Sequence, residues 1–273
     1  MSKPIQVVAI AGGKGGVGKT NVAINLGVEL SRLDLRVTLF DAALGLGNSD
    51  VLMGLKARES LVEVIEGELS LAEVVLQGPC GLSVVPAGTG RPELATLSPL
   101  VHAGLIRSFS ELAADMDVLV VDTAAGIAPE VLNFLIAARE VLLVVTPEPT
   151  SINDAFGLLR VLSEQFGVQR ASVVTNMVRS DNEARDAFLK LEGVCGRFLD
   201  LSLRHVADIP LDESVRRAVR RQSPVVELYP RAPASLALRE LASQVAAWPV
   251  SRELSGQLEF FVDRVRAPAQ SIS

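Results

Sequence analysis

A glycine-rich segment near the start of the chain constrains the fold more than any other feature. Residues 13–20 read Gly-Lys-Gly-Gly-Val-Gly-Lys-Thr, after an apolar run at 6–11 and before apolar residues at helical spacing over 21–32. Glycines let successive backbone N–H groups turn toward phosphate oxygens, and the spacing Gly-x-x-x-x-Gly-Lys-Thr between a strand and a helix is typical of a phosphate-binding loop. The segment therefore predicts a strand–loop–helix unit that binds a nucleoside triphosphate.

Strand and helix patterns alternate along the rest of the chain. Further strands are predicted at 36–40, 82–86, 117–121, 140–145, 171–175 and 206–210, with helices between most of them, such as 151–166 and 180–191. This alternation predicts an α/β fold, a doubly wound and mostly parallel sheet with helices on both faces. Polar and conformationally special residues follow the predicted strands, at the sheet edge where such folds bind ligands: Gly12, Asp41, Asp122, Pro147, Asn176 and Pro210.

Two loop residues and one strand-end carboxylate have the chemistry of a magnesium–triphosphate site. Lys19 is expected to pair with the β- and γ-phosphates, and Thr20 to offer its hydroxyl to Mg²⁺. Asp122 ends an apolar strand, as does the carboxylate that holds magnesium in such sites, usually through water. A glycine turn without chemistry and an aspartate that only caps a turn are the alternatives. The co-occurrence of loop and carboxylate favours the functional interpretation.

Composition argues against several other classes of protein. The net charge of −6 over 273 residues gives no bulk attraction to nucleic acid. Cys80 and Cys195, the only cysteines, lack metal-ligand spacing, and two thiols in a reducing cytoplasm are a simpler interpretation than a disulfide. The N-terminus has no signal-peptide pattern, and the apolar runs are too short to span a bilayer. We therefore expect a soluble, cytoplasmic protein.

The glycine loop contains a second lysine, Lys14, in addition to Lys19 of the general motif. The sequence Lys-Gly-Gly-Val-Gly-Lys-Thr at 14–20 resembles the "deviant" phosphate loop of the ParA/MinD family. The resemblance extends to residues 41–48, 122–126 and 209–215, and it covers nearly the whole chain. Within the family the chain is most similar to the flagellar-number regulators called FlhG or FleN, above all at 12–21 and 258–262.

This resemblance implies a role for each matching residue. Lys14 would reach across a dimer interface to the partner's nucleotide, while Asp41 and Asp122 would support Mg²⁺ beside Thr20. Asn176 would hydrogen-bond the adenine edge, and the segment near Pro210 and Asp212 would close over the base, which favours ATP or ADP over guanine nucleotides. The residues expected to hold the nucleotide are Gly13, Lys14, Gly15, Gly16, Val17, Gly18, Lys19, Thr20, Asn21, Asn176, Pro210 and Asp212.

The chain departs from the family pattern at Ala43. Members normally read Asp-x-Asp where this chain reads Asp41-Ala42-Ala43, and the second carboxylate orients or activates the attacking water in these enzymes. Such assistance is commonly worth about 10²–10⁴-fold in rate, so we expect ATP binding with strongly reduced turnover. Ala43 is either an engineered change that traps the ATP-bound dimer or the natural residue of a slowly switching member. The otherwise family-like flanking residues favour the first explanation.

The last residues form a separate region. We expect an ATPase domain over residues 1–248 and a tail over 249–273 with an amphipathic helix at about 256–266. One face of this helix is apolar, with Leu258, Phe261, Val262 and Val265, and Phe260 lies beside it. The resemblance implies reversible membrane contact through this helix, although its acidic residues weaken attraction to anionic lipid. Docking of the same face on the chain's own domain is the alternative.

The resemblance as a whole implies an ATP-dependent homodimeric switch that limits flagellar number. The implied partners are a FleQ-like transcriptional activator and the flagellar GTPase FlhF. Some members of the group have a long N-terminal extension that activates FlhF, whereas only a few residues precede the first strand here. The resemblance therefore favours restraint of the activator over activation of FlhF. Alternatives are a MinD-type division-site ATPase, a ParA-type DNA-segregation ATPase, and a metabolic or metal-delivery enzyme. Direct DNA binding is not expected, because the arginines at 216, 217, 220 and 221 stand in an acidic chain. The absence of a Cys-x-x-Cys pair counts against metal delivery.

Overall fold

One eight-stranded sheet organises the part of the chain that the computed structural model describes: residues 5–44, 47–88, 115–138 and 140–249, with residues 101, 104, 105, 108, 109 and 112. The strands are β1 (Gln6–Ala11), β2 (Val37–Ala42), β3 (Leu76–Gln77), β4 (Ser83–Val85), β5 (Val118–Thr123), β6 (Glu140–Val145), β7 (Arg170–Val178) and β8 (Ser202–Pro210). They pair in the order β3-β4-β2-β5-β1-β6-β7-β8. Every neighbouring pair is parallel except β3 and β4.

Helices cover both faces of this sheet. They are α1 (Lys19–Ser31), α2 (Ser49–Leu52), α3 (Leu61–Ile65), α4 (Pro129–Ala137), α5 (Pro149–Phe166), α6 (Asp181–Phe198), α7 (Glu213–Arg220), α8 (Val225–Leu228) and α9 (Pro233–Ala246). Apolar side chains of α1, α7, α8 and α9 form one core, and those of α3, α4, α5 and α6 form a second. The predicted doubly wound, mostly parallel α/β fold is thereby confirmed.

The central strands are buried on both sides, which explains their nearly continuous apolar runs. All six residues of β2 and all six of β5 are buried. A parallel strand between two helical layers has no solvent face, so alternation of apolar and polar residues is lost. Each fully buried side chain such as Leu39 or Val120 contributes about 1.5–3 kcal/mol through removal of apolar surface from water.

Several strands extend further than the sequence predicts. β2 and β5 continue in register through Asp41 opposite Asp122 and Ala42 opposite Thr123. The strands predicted to stop before Asp41, Asp122 and Asn176 therefore include these residues, which lie near the ends of β2, β5 and β7, whereas Pro210 ends β8 as the strand bounds predict. Backbone pairing continues past a polar side chain, whereas the apolar pattern stops there.

One strand and one helix end also differ from prediction, for different reasons. β3 has two residues, too few to show a periodic pattern, and the sequence did not indicate it. α6 runs to Phe198 rather than 191, because its buried stripe continues through Leu191 and Cys195.

The described residues include no helix with the length and apolar character needed to cross a bilayer. Leu258, Phe260, Phe261, Val262 and Val265 lie outside the described residues. The amphipathic helix of the tail and its membrane contact therefore stay predictions.

Candidate functional site

The glycine loop connects β1 to α1 at the carboxyl edge of the central strands. Gly16 and Gly18 have φ angles of 81° and 93°, in the left-handed region that side chains disfavour. A side chain at Gly18 would also collide with the Asn176 amide, and one at Gly13 would collide with the backbone of Asp154. Glycine at 13 therefore follows from local space, and glycine at 18 follows from both local space and backbone conformation.

The first turn of α1 places Lys19 and Thr20 beside Asp122. Gly18, which precedes α1, supplies no side-chain cap, so the first N–H groups of the helix remain available for an anion. Lys19 is only 8% exposed, and burial lowers its pKa while the nearby Asp122 carboxylate opposes that shift. The Lys19 ammonium and the N–H groups of the first turn of α1 thus place positive charge where a phosphate chain would lie.

Asp122 has the features of a cation ligand. Its carboxyl group is 1% exposed, and Oδ1 has no hydrogen-bond partner among the described residues. Burial and the charge of Asp41 raise the pKa of Asp122 to about 7, against a hydrogen bond from the Thr20 hydroxyl and the charge of Lys19. A buried oxygen without a partner is costly, and hard oxygen ligands are those that Mg²⁺ prefers. Thr20 and Asp122 therefore fit a magnesium ion.

Asp41 holds the segment that follows β2. Its Oδ1 accepts a hydrogen bond from the Ala43 backbone N–H (3.2 Å), and its Oδ2 accepts from the backbone N–H groups of Asn48 (2.9 Å) and Ser49 (3.0 Å). Burial raises the pKa of Asp41, while these hydrogen bonds oppose the shift. A Cβ at Gly47 would lie 2.7 Å from Oδ2, so the backbone approaches the carboxylate closely. The predicted support of the metal by Asp41 stays a prediction.

Ala43 contributes only backbone to this arrangement. Its N–H donates to Asp41, and its methyl side chain has no donor or acceptor. Position 43, where the family pattern has a second carboxylate, therefore lies two residues after Asp41, in the segment that leaves β2 toward α2.

Lys14 is engaged by its own chain in this conformation. Its Nζ donates to Oε2 of Glu148 (2.7 Å) and to Oγ1 of Thr150 (2.9 Å), at the start of α5. The sequence did not indicate this pair. The Glu148 side chain is 63% exposed and that of Lys14 36%, and ion pairs of this kind contribute about 0–1 kcal/mol. Lys14 can therefore exchange this contact for another at little cost.

A pocket at the start of α1 brings together five of the residues predicted to hold the nucleotide. Asn21, Asn176, Pro210 and Asp212 all line it, beside Gly18 of the loop. Ile209, Leu211 and Val215, from the segment expected to close over the base, also line it. Further lining residues that the sequence did not indicate are Val22, Asn25, Met177, Arg216, Val225 and Leu238. Asn25 follows Asn21 by one helical turn, and this spacing could have indicated that both side chains face the pocket. A contact of these residues with a base stays a prediction.

Comparison with known proteins agrees with this geometry. Residues 4–246 match the ParA family, described as "NUBPL iron-transfer P-loop NTPase". The chain is 52% identical over 267 residues to the antiactivator FleN of Pseudomonas aeruginosa, covering 97% of this chain and 95% of FleN. It is 30% identical to the flagellum site-determining protein YlxH of Helicobacter pylori, covering 92% and 84% of the two chains.

The fold also matches solved structures. The MinC:MinD cell division protein complex of Aquifex aeolicus contains a chain with a TM-score of 0.74 and 26% identity, covering 92% of this chain and 99% of that one. The phosphate loop with its second lysine, the buried Asp122 carboxylate beside it and these similarities lead to one conclusion. The chain belongs to the ParA/MinD family of P-loop NTPases.

Proposed function

We propose that this chain is an ATP-dependent dimerising switch that limits flagellar number by restraining a FleQ-like transcriptional activator. The observation that carries the proposal is the 52% identity to the antiactivator FleN across 97% of the chain. The flagellum site-determining protein YlxH supports the same cellular role. The proposed setting is the cytoplasm, with reversible membrane contact through the tail.

The nucleotide site supplies the first step. Backbone N–H groups of the loop and the Lys19 ammonium would bind the phosphates of ATP, and the Thr20 hydroxyl and Asp122 carboxylate would hold Mg²⁺. When bound, the ion neutralises charge on the β- and γ-phosphates. Lys19 and Asp122 are both buried, so their charges act with little screening by water.

Lys14 would supply the second step. In this conformation it pairs with Glu148 and Thr150 of the same chain. We propose that ATP brings two copies together face to face, and that Lys14 then leaves Glu148 for the phosphates of the other copy's nucleotide. A dianionic or trianionic phosphate chain attracts an ammonium more strongly than one exposed carboxylate does, which makes the exchange favourable.

Ala43 would set how long the dimer lasts. With no carboxylate at 43 to orient the attacking water, hydrolysis is slow and the ATP-bound state persists. The proposed partners in that state are the activator and the GTPase FlhF. The arginines at 216, 217, 220 and 221, in and directly after α7, do not make DNA a proposed partner, because the whole chain is acidic.

Two alternatives have specific support. A MinD-type division-site ATPase is favoured by the 26% identity to MinD of Aquifex aeolicus. An iron-transfer role is suggested by the family description, yet the chain has two cysteines far apart, and the described residues contain no group of three or more potential metal ligands. Iron transfer is therefore the less favoured of the two.

Complementation tests the cellular part of the proposal. In a Pseudomonas aeruginosa strain that lacks FleN, expression of this chain should reduce the number of flagella per cell, counted by electron microscopy. The Lys19→Gln variant, expressed at the same level, should reduce the number less because nucleotide binding is weakened. A division-site protein would instead leave flagellar number unchanged and shift the position of septa.

Asp122 makes the stability of the magnesium-free protein depend on pH. Its pKa is about 7 in the fold against 3.8 in the unfolded chain, so between those values the native state retains a proton that the unfolded state has lost. Stability should therefore fall as pH rises from 4 to 7, by at most about 1.4 kcal/mol per pH unit. Urea unfolding at a series of pH values measures this slope. Asp122→Asn should reduce this slope, leaving the part that the raised pKa of Asp41 contributes, whereas Asp186→Asn on the exposed face of α6 should leave the slope unchanged.

A further inference from the structure

Helix α7 presents four exposed arginines on one side. They lie in the helix and directly after it, and they are Arg216, Arg217, Arg220 and Arg221. The opposite side contains Ala218, which is buried in the core that α1, α8 and α9 also form. At the pitch of an α-helix the four arginines span about 140° of the helix circumference. They therefore form one continuous surface, called the arginine face below.

The arginine face contains two pairs of like charges at helical spacing. Arg216 lies four residues before Arg220. Arg217 lies four residues before Arg221, and like charges at this spacing destabilise a helix. Within the described part of the chain, the one ion pair of this face joins Arg216 to Glu213, at 3.7 Å. Arg220 and Arg221 form no ion pair with the described residues, so the face retains positive charge that a bound anion would neutralise.

Both ends of α7 are held by hydrogen bonds. At its start, the Asp212 carboxylate accepts from the backbone N–H of Ala234 (3.2 Å), which connects α7 to α9. At its end, the backbone N–H of Ser223 donates to the Ala218 carbonyl (3.2 Å), and Gln222 adopts the left-handed conformation (φ 50°) typical of such a helix end. The backbone that carries the arginines is therefore ordered before any partner binds, which reduces the entropic cost of binding.

The arginine face also lies beside the nucleotide pocket. Val215 and Arg216 line that pocket, whereas Arg220 and Arg221 do not. Arg220 follows Arg216 by about one helical turn. A partner bound to the arginine face would therefore lie close to the nucleotide without occupying its pocket.

The size and surroundings of the arginine face favour one kind of anion. A guanidinium donates two parallel hydrogen bonds to a carboxylate or a phosphate alike, so arginine chemistry does not choose between them. However, α7 has eight residues and is about 12 Å long, and the rest of the chain is more acidic than the net charge of −6 indicates. Duplex DNA or a bilayer extends far beyond 12 Å and would bring its phosphates against this acidic remainder. A short acidic segment matches the face without meeting that repulsion.

We propose that the arginine face is the docking site for an acidic segment of a partner protein. Its carboxylates would be about 5–6 Å apart, as on one side of a helix, to match the spacing of the arginine pairs. Each exposed arginine–carboxylate contact contributes little alone, so affinity depends on several contacts together and falls as salt is added. The site lies outside the nucleotide pocket, and the proposal does not depend on nucleotide binding.

Fluorescence anisotropy with a labelled peptide of about four helical turns tests this surface. The peptide has glutamate at every fourth position among alanines and glutamines, and a second peptide with glutamine at those positions should not bind. The double variant Arg220→Gln, Arg221→Gln should weaken the glutamate peptide by about 2–30-fold at low ionic strength. The matched control Arg185→Gln, Arg197→Gln removes the same charge from exposed positions of α6, across the sheet, and should leave the affinity nearly unchanged.

Three results would overturn the proposal. The unmodified chain would fail to bind the glutamate peptide, or both double variants would weaken it equally, which would show attraction to net charge alone. In the third, a short DNA duplex or phosphatidylserine vesicles would bind more tightly than the peptide and lose affinity in the α7 variant, which would assign the face to nucleic acid or membrane.

Two measurements separate these results from unfolding and from the proposed function. Thermal unfolding shows that each double variant is folded. Both should bind a fluorescent ATP analogue as the unmodified chain does, because none of their substituted residues lines the nucleotide pocket. Failure of the unmodified chain to bind the analogue would contradict the proposed function and leave the docking site unaffected.

Discussion

Ala43→Asp should raise steady-state phosphate release at least tenfold. The substitution places a carboxylate in the segment leaving β2, at a residue whose backbone N–H donates to the Asp41 carboxylate. A carboxylate that orients or deprotonates the attacking water commonly contributes about 10²–10⁴-fold. The backbone N–H of residue 43 can keep its hydrogen bond to Asp41, so the change adds a chemical group with little change to the local fold.

Phosphate release at saturating Mg-ATP measures this effect. Ala43→Asn is the matched control, because its amide has nearly the same size but cannot accept a proton from water at neutral pH. It should remain within a few-fold of the unmodified chain. Equal rates for the alanine and aspartate proteins would show that position 43 does not limit turnover.

Lys19→Gln should weaken ATP binding by about 30-fold or more. Lys19 is buried beside Asp122, and removal of one member of a desolvated charge contact costs about 2–5 kcal/mol. Gln retains length and an amide donor but cannot neutralise phosphate charge. The free protein should stay folded, because the substitution removes a charge whose burial lowers its own pKa.

Equilibrium binding of a fluorescent ATP analogue measures this loss. Lys56→Gln is the control, since Lys56 is exposed on the segment after α2 and lies outside the candidate site. The affinity of Lys56→Gln for the ATP analogue should match that of the unmodified chain. An unchanged affinity in Lys19→Gln would mean that the glycine loop does not bind phosphate as proposed.

The sequence predicts the parts of this site that are local. Loop spacing, the glycines at 13 and 18, and the strand-end position of Asp122 follow from motif and apolar pattern, and β1 and β6 have the predicted bounds. Such features depend on residues adjacent in sequence, where backbone conformation and burial determine the pattern.

Contacts between distant segments were not predictable in the same way. Lys14 and Glu148 are 134 positions apart, and Asn176 and Val17 are 159 apart. Periodicity indicates which residues are buried but not which side chains meet when the strands align. For this reason the hydrogen bond that the Asn176 amide donates to the loop was not foreseen, and its contact with a base stays a prediction.

The mass of the protein in solution with ATP and with ADP tests the central claim most directly. Size-exclusion chromatography with light scattering should show a dimer with Mg-ATP and a monomer with Mg-ADP. Lys14→Ala should remain monomeric with both nucleotides, and Glu148→Gln, which loses the cis ion pair, should dimerise at lower ATP concentration. A protein that binds ATP tightly yet stays monomeric at every concentration would contradict the switch.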